Sequence, residues 1–268
     1  MPKHGIHKIE EYKHLGKADL HIHSDYSDGR PSVQEILDYV QDKTDLDVIA
    51  ITDHDTIEGA KIAQQLIKQK RYRFAVIVGE EITSKEGHIL GLFLTEKIEP
   101  GLEVGTTIKK IHEQGGVAVA SHPFMHTRWR NPNMNIMDGI GLISLMKEKD
   151  EIDGIEVVNA TPTLGEENLS ADFINKTVLL RAETGSSDAH IVEAIGKGYT
   201  LFEGKTAHDL KEAILSAQTQ GMHNKWTFFA LFKYLFFFIP KGFRMALYTL
   251  FYGRTKKRPK IVNVPKRK

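Results

Sequence analysis

The sequence predicts an α/β fold in which buried strands and helices alternate around a closed barrel. Short apolar runs typical of buried parallel strands alternate with amphipathic segments of helical period. Histidine and carboxylate residues follow these runs as short islands, at the strand ends where barrel active sites lie. The length of 268 residues also fits one such barrel. An open doubly wound sheet is the alternative, but ligands from so many strands favour closure, because closure brings the first and last strands together.

The strands are predicted from short apolar runs of the kind that buried parallel strands show. In chain order they are Lys17–Ile22, Asp47–Ile51, Phe74–Val78, His88–Leu94, Val117–Ala120, Ile152–Val158 and Thr177–Ala182. About seven strands that alternate with helices indicate a parallel sheet with right-handed crossovers.

The helices are predicted from periodicity and from signals at their ends. They are Ser32–Asp42, Thr56–Lys70, Thr106–Gln114 and Thr206–Thr219. Ser32 with Glu35, and Thr206 with Asp209, have the spacing of a capping box, which marks a helix start. Gly115 follows the third helix as a stop signal.

Six polar islands carry residue types that bind metal ions. They are Asp19-Leu20-His21-Ile22-His23, Thr52-Asp53-His54-Asp55, Gly79-Glu80-Glu81-Ile82, Gly87-His88-Ile89, Ser121-His122-Pro123 and Ser187-Asp188-Ala189-His190. His21 and His23 are two apart on a strand end, so both imidazoles point to one side and can reach one ion. Asp188 and His190 repeat this spacing. The chain has no cysteine, so nitrogen and oxygen must hold any metal.

Four of these islands resemble motifs of the PHP (polymerase and histidinol phosphatase) family. The matching segments are Asp19-Leu20-His21-Ile22-His23-Ser24 with Ser27-Asp28-Gly29, Ile51-Thr52-Asp53-His54-Asp55-Thr56, Ser121-His122-Pro123-Phe124, and Gly185-Ser186-Ser187-Asp188-Ala189-His190. The resemblance covers roughly residues 15–215 and implies a distorted (βα)7 barrel with a two- or three-metal centre. The chain looks most like the stand-alone metal-dependent phosphoesterases of that family, which include nucleotide phosphatases and 5′-nucleases.

The resemblance also implies a ligand set. One ion would be held by His21, His23, Glu81 and Asp188, a second by Glu81, His88 and His122, and a third by Asp28, His54 and His190. The residues expected to carry catalysis are His21, His23, Glu81, His122 and Asp188. Glu80 remains an alternative to Glu81 as the bridging carboxylate, and Asp25 an alternative to Asp28. Asp53 and Asp55 flank His54 and are candidates to orient a ligand imidazole.

The ligand types and the family together predict a function. Six imidazoles and three carboxylates suit manganese, iron or zinc rather than magnesium or calcium. The expected activity is hydrolysis of a phosphate monoester, or of a nucleotide or oligonucleotide end, through a metal-activated water. In the loop Met125–Ile140, His126, Arg128 and Arg130 are candidates to bind substrate. The alternatives are an amidohydrolase-type metal hydrolase and a catalytically silent, membrane-associated metal-binding protein.

The carboxyl-terminal segment differs in composition from the rest of the chain. We expect a barrel domain over residues 1–220 and an extension over 221–268. The 27 residues from Trp226 to Tyr252 contain 12 of the 23 aromatics, and after Glu212 there are 12 Lys or Arg and no Asp or Glu. Two interfacial helices, Trp226–Ile239 and Phe243–Tyr252, followed by a basic tail, fit attachment to an anionic membrane surface. Packing on protein and binding of nucleic acid are the alternatives.

The expected location is cytoplasmic, with peripheral attachment to the inner face of the membrane. The sequence around Met1–Gly5 lacks the apolar core of a secretion signal. The oligomeric state is left open.

Overall fold

The computed structural model describes residues 15–125 and 139–237 and contains one mixed sheet. Its strands are β1 (Leu15–Asp19), β2 (Val48–Ile51), β3 (Ala75–Thr83), β4 (His88–Leu92), β5 (Val117–Ala120), β6 (Gly154–Asn159), β7 (Ala182–Ser186), β8 (Gly198–Glu203) and β9 (Thr219–His223). Their order across the sheet is β7-β6-β5-β4-β3-β2-β1-β8-β9. The sheet curls into a nearly closed barrel, as the sequence predicts.

Closure occurs just beyond the carboxyl ends of β1 and β7. Ile22 and Ala189 form a parallel bridge. The backbone N–H of His23 donates to the Ala189 carbonyl at 2.9 Å, and that of Ala189 donates to the His21 carbonyl at 3.2 Å. Because these bonds join the first and last polar islands, closure of the barrel assembles the two halves of the site.

The sheet departs from the expected parallel repeat of seven strands. The described residues contain nine strands, and β3–β4, β4–β5, β1–β8 and β8–β9 all pair antiparallel. Only Ser84–Gly87 joins β3 to β4, which is too short for the crossover that parallel strands need. β8 and β9 were not predicted; the helix predicted at Thr206–Thr219 ends at Leu215, and β9 begins at Thr219.

The helices lie outside the sheet or across one end of it. They are α1 (Val33–Lys43), α2 (Glu58–Gln69), α3 (Val104–Glu113), α4 (Gly141–Lys147), α5 (Gly165–Ile174), α6 (Ala207–Leu215) and α7, which covers 228–237 of the described residues. Both predicted capping boxes are confirmed: Ser32 with Glu35 caps α1, and Thr206 with Asp209 caps α6.

The strand predicted at Thr177–Ala182 is wrong. A π-helical turn, Asn175–Leu179, extends α5, and β7 begins only at Ala182. The Asn175 side chain accepts from the Arg181 backbone N–H at 3.0 Å and donates to the Arg181 carbonyl at 2.9 Å. Leu180 ends the turn with a left-handed φ of 54°. The apolar run therefore closes a helix instead of forming a strand.

Two apolar clusters lie on opposite faces of the strands. One contains alternate strand residues and side chains of α6, namely Ala18, Leu20, Val48, Ala50, Ile77, Leu90, Leu92, Val117, Val119, Ala182, Phe202, Leu210, Ala213 and Ile214. The other packs Ile49, Ile51, Val76 and Val78 against the outer helices. Since alternate residues share a face, Glu81 lies on the same face as Ile77, and His88 on the same face as Leu90.

The carboxyl-terminal part continues the barrel and then adds α7. The expected domain boundary between residues 220 and 221 falls inside β9, so the barrel sheet extends to His223. The predicted helix Phe243–Tyr252 and the basic tail lie outside the described residues. Among the described residues, none of the helices combines the length and the hydropathy that crossing a bilayer requires.

Candidate metal centre

The predicted ligands come together at one mouth of the barrel. His21 and His23 follow β1, Asp28 lies in the loop after them, and His54 follows β2. The remaining residues are Glu81 on β3, His88 at the start of β4, His122 after β5, and Asp188 and His190 after β7. Two of these residues have a left-handed backbone, with φ of 26° at His122 and 50° at Asp188. Such strain in residues other than glycine is common at functional sites.

Glu81 lies at the centre of the cluster. The distances from its carboxylate oxygens are 3.1 Å to His21 Nε2, 3.4 Å to His23 Nε2, 3.3 Å to His54 Nδ1, 3.0 Å to His88 Nδ1 and 3.0 Å to His122 Nε2. Burial acts to raise the pKa of Glu81, but the surrounding imidazoles hold that pKa well below its usual range. One buried carboxylate therefore contacts five imidazoles and stays ionised.

Glu80, the alternative bridging residue, faces the other side of β3. Its Oε2 accepts from the Ile98 backbone N–H at 2.9 Å. Burial raises the pKa of Glu80 to about 7. Neighbouring strand residues point to opposite faces, so only one of the two carboxylates can reach the histidines.

Asp188 is the second buried carboxylate of the cluster. Its Oδ1 lies 3.3 Å from His23 Nε2 and 3.7 Å from His21 Nε2, and its Oδ2 accepts from Asn159 Nδ2 at 3.1 Å. Burial acts to raise the pKa of Asp188, but His21, His23 and His190 hold it well below its usual range. Asp188 and Glu81 thus contact His21 and His23 from two sides.

The outer part of the cluster is built around Asp28. Its Oδ1 lies 3.0 Å from His190 Nε2, 3.8 Å from His54 Nε2 and 4.0 Å from His23 Nδ1. The Asp28 side chain is partly exposed, which marks the side of the cluster that faces solvent. Asp25 is exposed and belongs to none of the ligand groups found among the described residues.

The donor atoms form four overlapping groups, each with its atoms within 4.8 Å of one another. The groups are His23, Asp28, His54 and His190; His21, His122 and Asp188; His21, His23 and Glu81; and His54, Glu81 and His88. The outer group contains the expected third set together with His23. The second expected set is divided, because His122 groups with His21 and Asp188, whereas His54 joins Glu81 and His88.

The chemistry of this cluster fits divalent cations. Both ring nitrogens of His23 are buried and make no well-aligned hydrogen bond among the described residues, although Nε2 lies 3.3 Å from Asp188 and 3.4 Å from Glu81. Burial, together with His190 and His54, lowers the pKa of His23 to about 3, so its imidazole is neutral and can donate a lone pair. Buried nitrogen atoms without a well-aligned hydrogen bond are costly in a protein interior unless a ligand satisfies them.

Sequence reasoning missed Glu156, which supports the cluster from β6. Glu156 Oε1 lies 3.1 Å from His21 Nδ1, while its Oε2 accepts from the His122 backbone N–H at 2.7 Å and from Asn159 Nδ2 at 3.0 Å. A carboxylate behind a candidate ligand imidazole fixes its ring orientation and tautomer. The signal was a single acidic residue inside the apolar run Ile155–Val158.

Asp53 and Asp55 were candidates to orient a ligand imidazole, but their hydrogen bonds among the described residues go to backbone and hydroxyl groups. Asp53 accepts from the Ser24 backbone N–H at 2.7 Å and from the hydroxyls of Ser24 and Ser27, each at 2.6 Å. Asp55 accepts from the Thr83 backbone N–H at 2.8 Å. These bonds position the loop that carries Asp28 and the end of β3. The predicted substrate contacts His126, Arg128 and Arg130 lie outside the described residues.

Comparison with known proteins gives matches over most of the barrel. The family model for the PHP-associated region matches residues 170–219. The chain is 39% identical over 155 residues to the uncharacterised protein MJ1587 of Methanocaldococcus jannaschii, which covers 54% of this chain and 82% of that protein.

Two solved structures share the fold. One is a two-domain protein from Bacteroides vulgatus containing a predicted PHP-like metal-dependent phosphoesterase, with a TM-score of 0.59 and 18% identity over 78% of this chain. This chain spans 65% of that protein, less than two thirds of its length. The other is PsfC from Pseudomonas syringae, with a TM-score of 0.58 and 19% identity over 87% of this chain and 99% of that one. With its four motifs gathered at the mouth of such a barrel, the chain belongs to the PHP domain family.

Proposed function

We propose that the protein is a metal-dependent phosphoesterase that hydrolyses a phosphate monoester or the end of a nucleotide or oligonucleotide. The observation that carries this proposal is the buried Glu81 carboxylate, which lies within 3.4 Å of five imidazole nitrogens at the barrel mouth. A carboxylate in that position can bridge two cations. Two or three ions of manganese, iron or zinc suit the nitrogen and oxygen ligands.

The protein residues divide into ligands and positioning groups. The proposed ligands are His21, His23, Asp28, His54, Glu81, His88, His122, Asp188 and His190. Divalent ions at this site would generate a nucleophile from water near neutral pH and stabilise charge on the phosphoryl oxygens. Glu156 holds the His21 ring and the His122 backbone, so that both imidazoles keep one orientation.

The partly exposed Asp28 and His54 leave the outer group open to solvent, whereas all members of the two groups that contain His21 are buried. Substrate therefore enters from the side of Asp28. His126, Arg128 and Arg130, in the segment of the sequence after β5, are proposed to contact the substrate phosphate, because imidazolium and guanidinium groups donate hydrogen bonds to phosphate oxygens.

The proposal is tested with purified full-length protein and a panel of phosphate esters. Phosphate release should disappear after extensive chelation and return with manganese, iron or zinc. Hydrolysis of amides or lactones without any phosphate ester would favour the amidohydrolase alternative. Metal binding without turnover on the whole panel would favour the silent metal-binding protein.

We further propose that α7 and the basic segment after it attach the protein to an anionic membrane surface, on the cytoplasmic side. Support comes from the outer face of α7, where five large apolar side chains are at least half exposed: Phe228, Phe229, Phe232, Leu235 and Phe236. The 31 residues from 238 onward add 10 Lys or Arg and no acidic residue. Aromatic side chains and clustered cations together are typical of peripheral attachment.

A further inference from the structure

Helix α7 is fixed against the barrel mouth by specific contacts on its inner face. The Trp226 indole N–H, just before the helix, donates to the Ala160 carbonyl at 2.9 Å, directly after β6. The rings of Trp226 and Tyr234 pack with their centroids 5.1 Å apart, and Tyr234 is buried. Lys233 pairs with Glu193 in the segment after His190. Helix α7 therefore packs beside the metal-ligand cluster, against the segments that follow β6 and His190.

A cleft of about 400 Å³ lies between α7 and the barrel. Phe232, Lys233 and Phe236 line its helix side, while Arg30, Ile191 and Val192 line its barrel side. Its volume is in the range of small-molecule sites, and most of its exposed surface is apolar.

The cleft adjoins the outer ligand group. Ile191 directly follows His190 in the chain, and the Arg30 backbone N–H donates to the His190 carbonyl at 3.0 Å. The ring of Phe237, the neighbour of Phe236, lies 6.3 Å from the His190 ring, centroid to centroid. A phosphoester whose phosphate reaches Asp28 and His190 could thus extend its alcohol portion into the cleft.

The cleft is also continuous with the exposed apolar face of α7. Phe232 and Phe236 both line the cleft and remain more than half exposed, at 58% and 66%. Phe228 and Leu235 lie on the same exposed face but do not line the cleft. The apolar side chains of α7 therefore form a continuous surface from the exposed face of the helix, through the cleft, to the edge of the ligand cluster.

We propose that this cleft binds the hydrocarbon chain of a phosphorylated lipid, so that the substrate is an amphipathic phosphoester presented at an anionic membrane surface. The proposal rests on the proposed phosphoesterase function and narrows its substrate class. A lipid accounts for both the apolar cleft and the apolar face that continues from it, whereas a small soluble phosphate ester needs neither. The cleft lining itself is charge-balanced, because Arg30 and Lys233 are matched by Glu35 and Glu193, so the attraction to an anionic surface comes from the 10 Lys or Arg after residue 237.

The test compares ligands that share a headgroup and differ in their hydrocarbon. The probes are phosphonate analogues, which resist hydrolysis, of glycerol 3-phosphate and of dihexanoyl phosphatidate below its micelle concentration. Calorimetry on the full-length, manganese-loaded protein should give at least roughly tenfold tighter binding of the acylated probe, since burying two methylenes yields about that factor. Phe236→Ala should remove most of this gain.

Phe228→Ala is the matched control, because it removes the same ring from the same helix outside the cleft, and it should leave the gain intact. Equal binding of the two probes by the wild-type protein, or a gain that Phe236→Ala does not change, would overturn the proposal. A nucleobase in the cleft would also overturn the proposal. In that case the wild-type protein would show no preference for the acylated probe, would bind adenosine 5′-monophosphate more tightly than ribose 5-phosphate, and would lose this difference in Phe236→Ala. No turnover of any phosphate ester, with the lipid preference retained, would reject the phosphoesterase function but leave the cleft assignment standing.

Discussion

At the scale of single residues, the site depends on which face of a strand a carboxylate occupies. Glu80 and Glu81 are neighbours, yet Glu81 contacts the imidazoles and Glu80 accepts from the Ile98 backbone. Successive side chains of a strand point to opposite faces of the sheet, so the two carboxylates cannot exchange roles. The sequence favoured Glu81 from the spacing after Gly79 and left Glu80 as the alternative; in the structure, Glu81 shares its barrel face with Ile77 and Leu90. It did not predict Glu156, whose role depends on where β6 lies next to β5.

The two neighbouring glutamates provide a paired prediction. Glu81→Gln should lower turnover by at least about a hundredfold, because a neutral amide is a poor bridge between cations. Glu80→Gln removes a carboxylate of similar burial from the other face and should keep turnover within a few fold. Steady-state phosphate release measures both variants. Normal turnover in Glu81→Gln with a large loss in Glu80→Gln would reverse the assignment.

Glu156 should control metal affinity without being a ligand. Glu156→Gln weakens the contact with His21 Nδ1, and losing such a supporting group typically costs about 10- to 100-fold in metal affinity. Titration with manganese under competition from a chelator measures the change. The control is Glu203→Gln, because Glu203 is exposed on β8. An unchanged affinity in Glu156→Gln would mean that the His21 orientation does not depend on this carboxylate.

The loss of stability with rising pH that is expected of the metal-free protein should disappear or reverse when metal binds. Burial acts to lower the pKa of His21, but Glu81, Asp188 and Glu156 raise this pKa well above 6.5. The pKa of His122 is raised by Glu81, and the pKa of His190 is raised by Asp28, in both cases against the effect of burial. In metal-free protein these charged rings stabilise the fold below pH 6.5, and this contribution is lost as pH rises through their folded pKa values. Metal binding needs neutral rings and improves over the same range.

Thermal unfolding between pH 6 and pH 9 tests this expectation. The midpoint of the chelated protein should fall as pH rises, while that of the manganese-loaded protein should stay level or rise. Parallel curves for the two forms would show that protons and metal do not compete for these histidines.

At the scale of secondary-structure elements, local sequence signals predicted where helices start better than they predicted which strands pair. Both capping boxes are correct, because they depend only on residues three positions apart. The antiparallel β3–β4 hairpin and the β8–β9 pair were not predicted, because strand direction depends on contacts between distant residues. The π-helical turn at Asn175–Leu179 was mistaken for a strand, since a short apolar run carries no clear period.

Close packing of β7 against β8 gives a prediction about barrel closure. A Cβ atom on Gly198 would collide with the backbone of Ser186, so Gly198→Ala should cost at least about 2 kcal/mol of unfolding free energy. Gly165→Ala is the control, because a Cβ atom there meets no atom within 4 Å. Denaturant unfolding measures both. Equal stability of the two variants would mean that β7 and β8 are not packed this closely.

At the scale of the whole molecule, charge separates a barrel that is acidic from a segment that is basic. Residues up to Glu212 carry 24 Lys or Arg and 35 Asp or Glu, whereas those after it carry 12 Lys or Arg and no acid. An acidic body suits several bound cations, and a basic end suits an anionic partner. The sequence predicted this division and left packing on protein as an alternative for the carboxyl-terminal segment; in the structure, α7 packs on the barrel mouth through Trp226 and Tyr234.

The apolar face of α7 gives a prediction about membrane attachment. Full-length protein should sediment with anionic vesicles at low salt and be released as salt rises. The double variant Phe228→Glu with Leu235→Glu should bind vesicles weakly, because it places two charges on the exposed face. Its turnover of a soluble phosphate ester should not change, since neither residue lines the cleft. Failure of the wild-type protein to bind vesicles at low salt would reject attachment.

The most direct test of the central claim is to locate the metal ions themselves. Crystals of the protein grown with manganese should give anomalous difference peaks for two or three ions at the barrel mouth, with the Glu81 carboxylate bridging two of them. Absence of any peak within ligand distance of Glu81, His21 and His23 at full manganese loading would contradict the account.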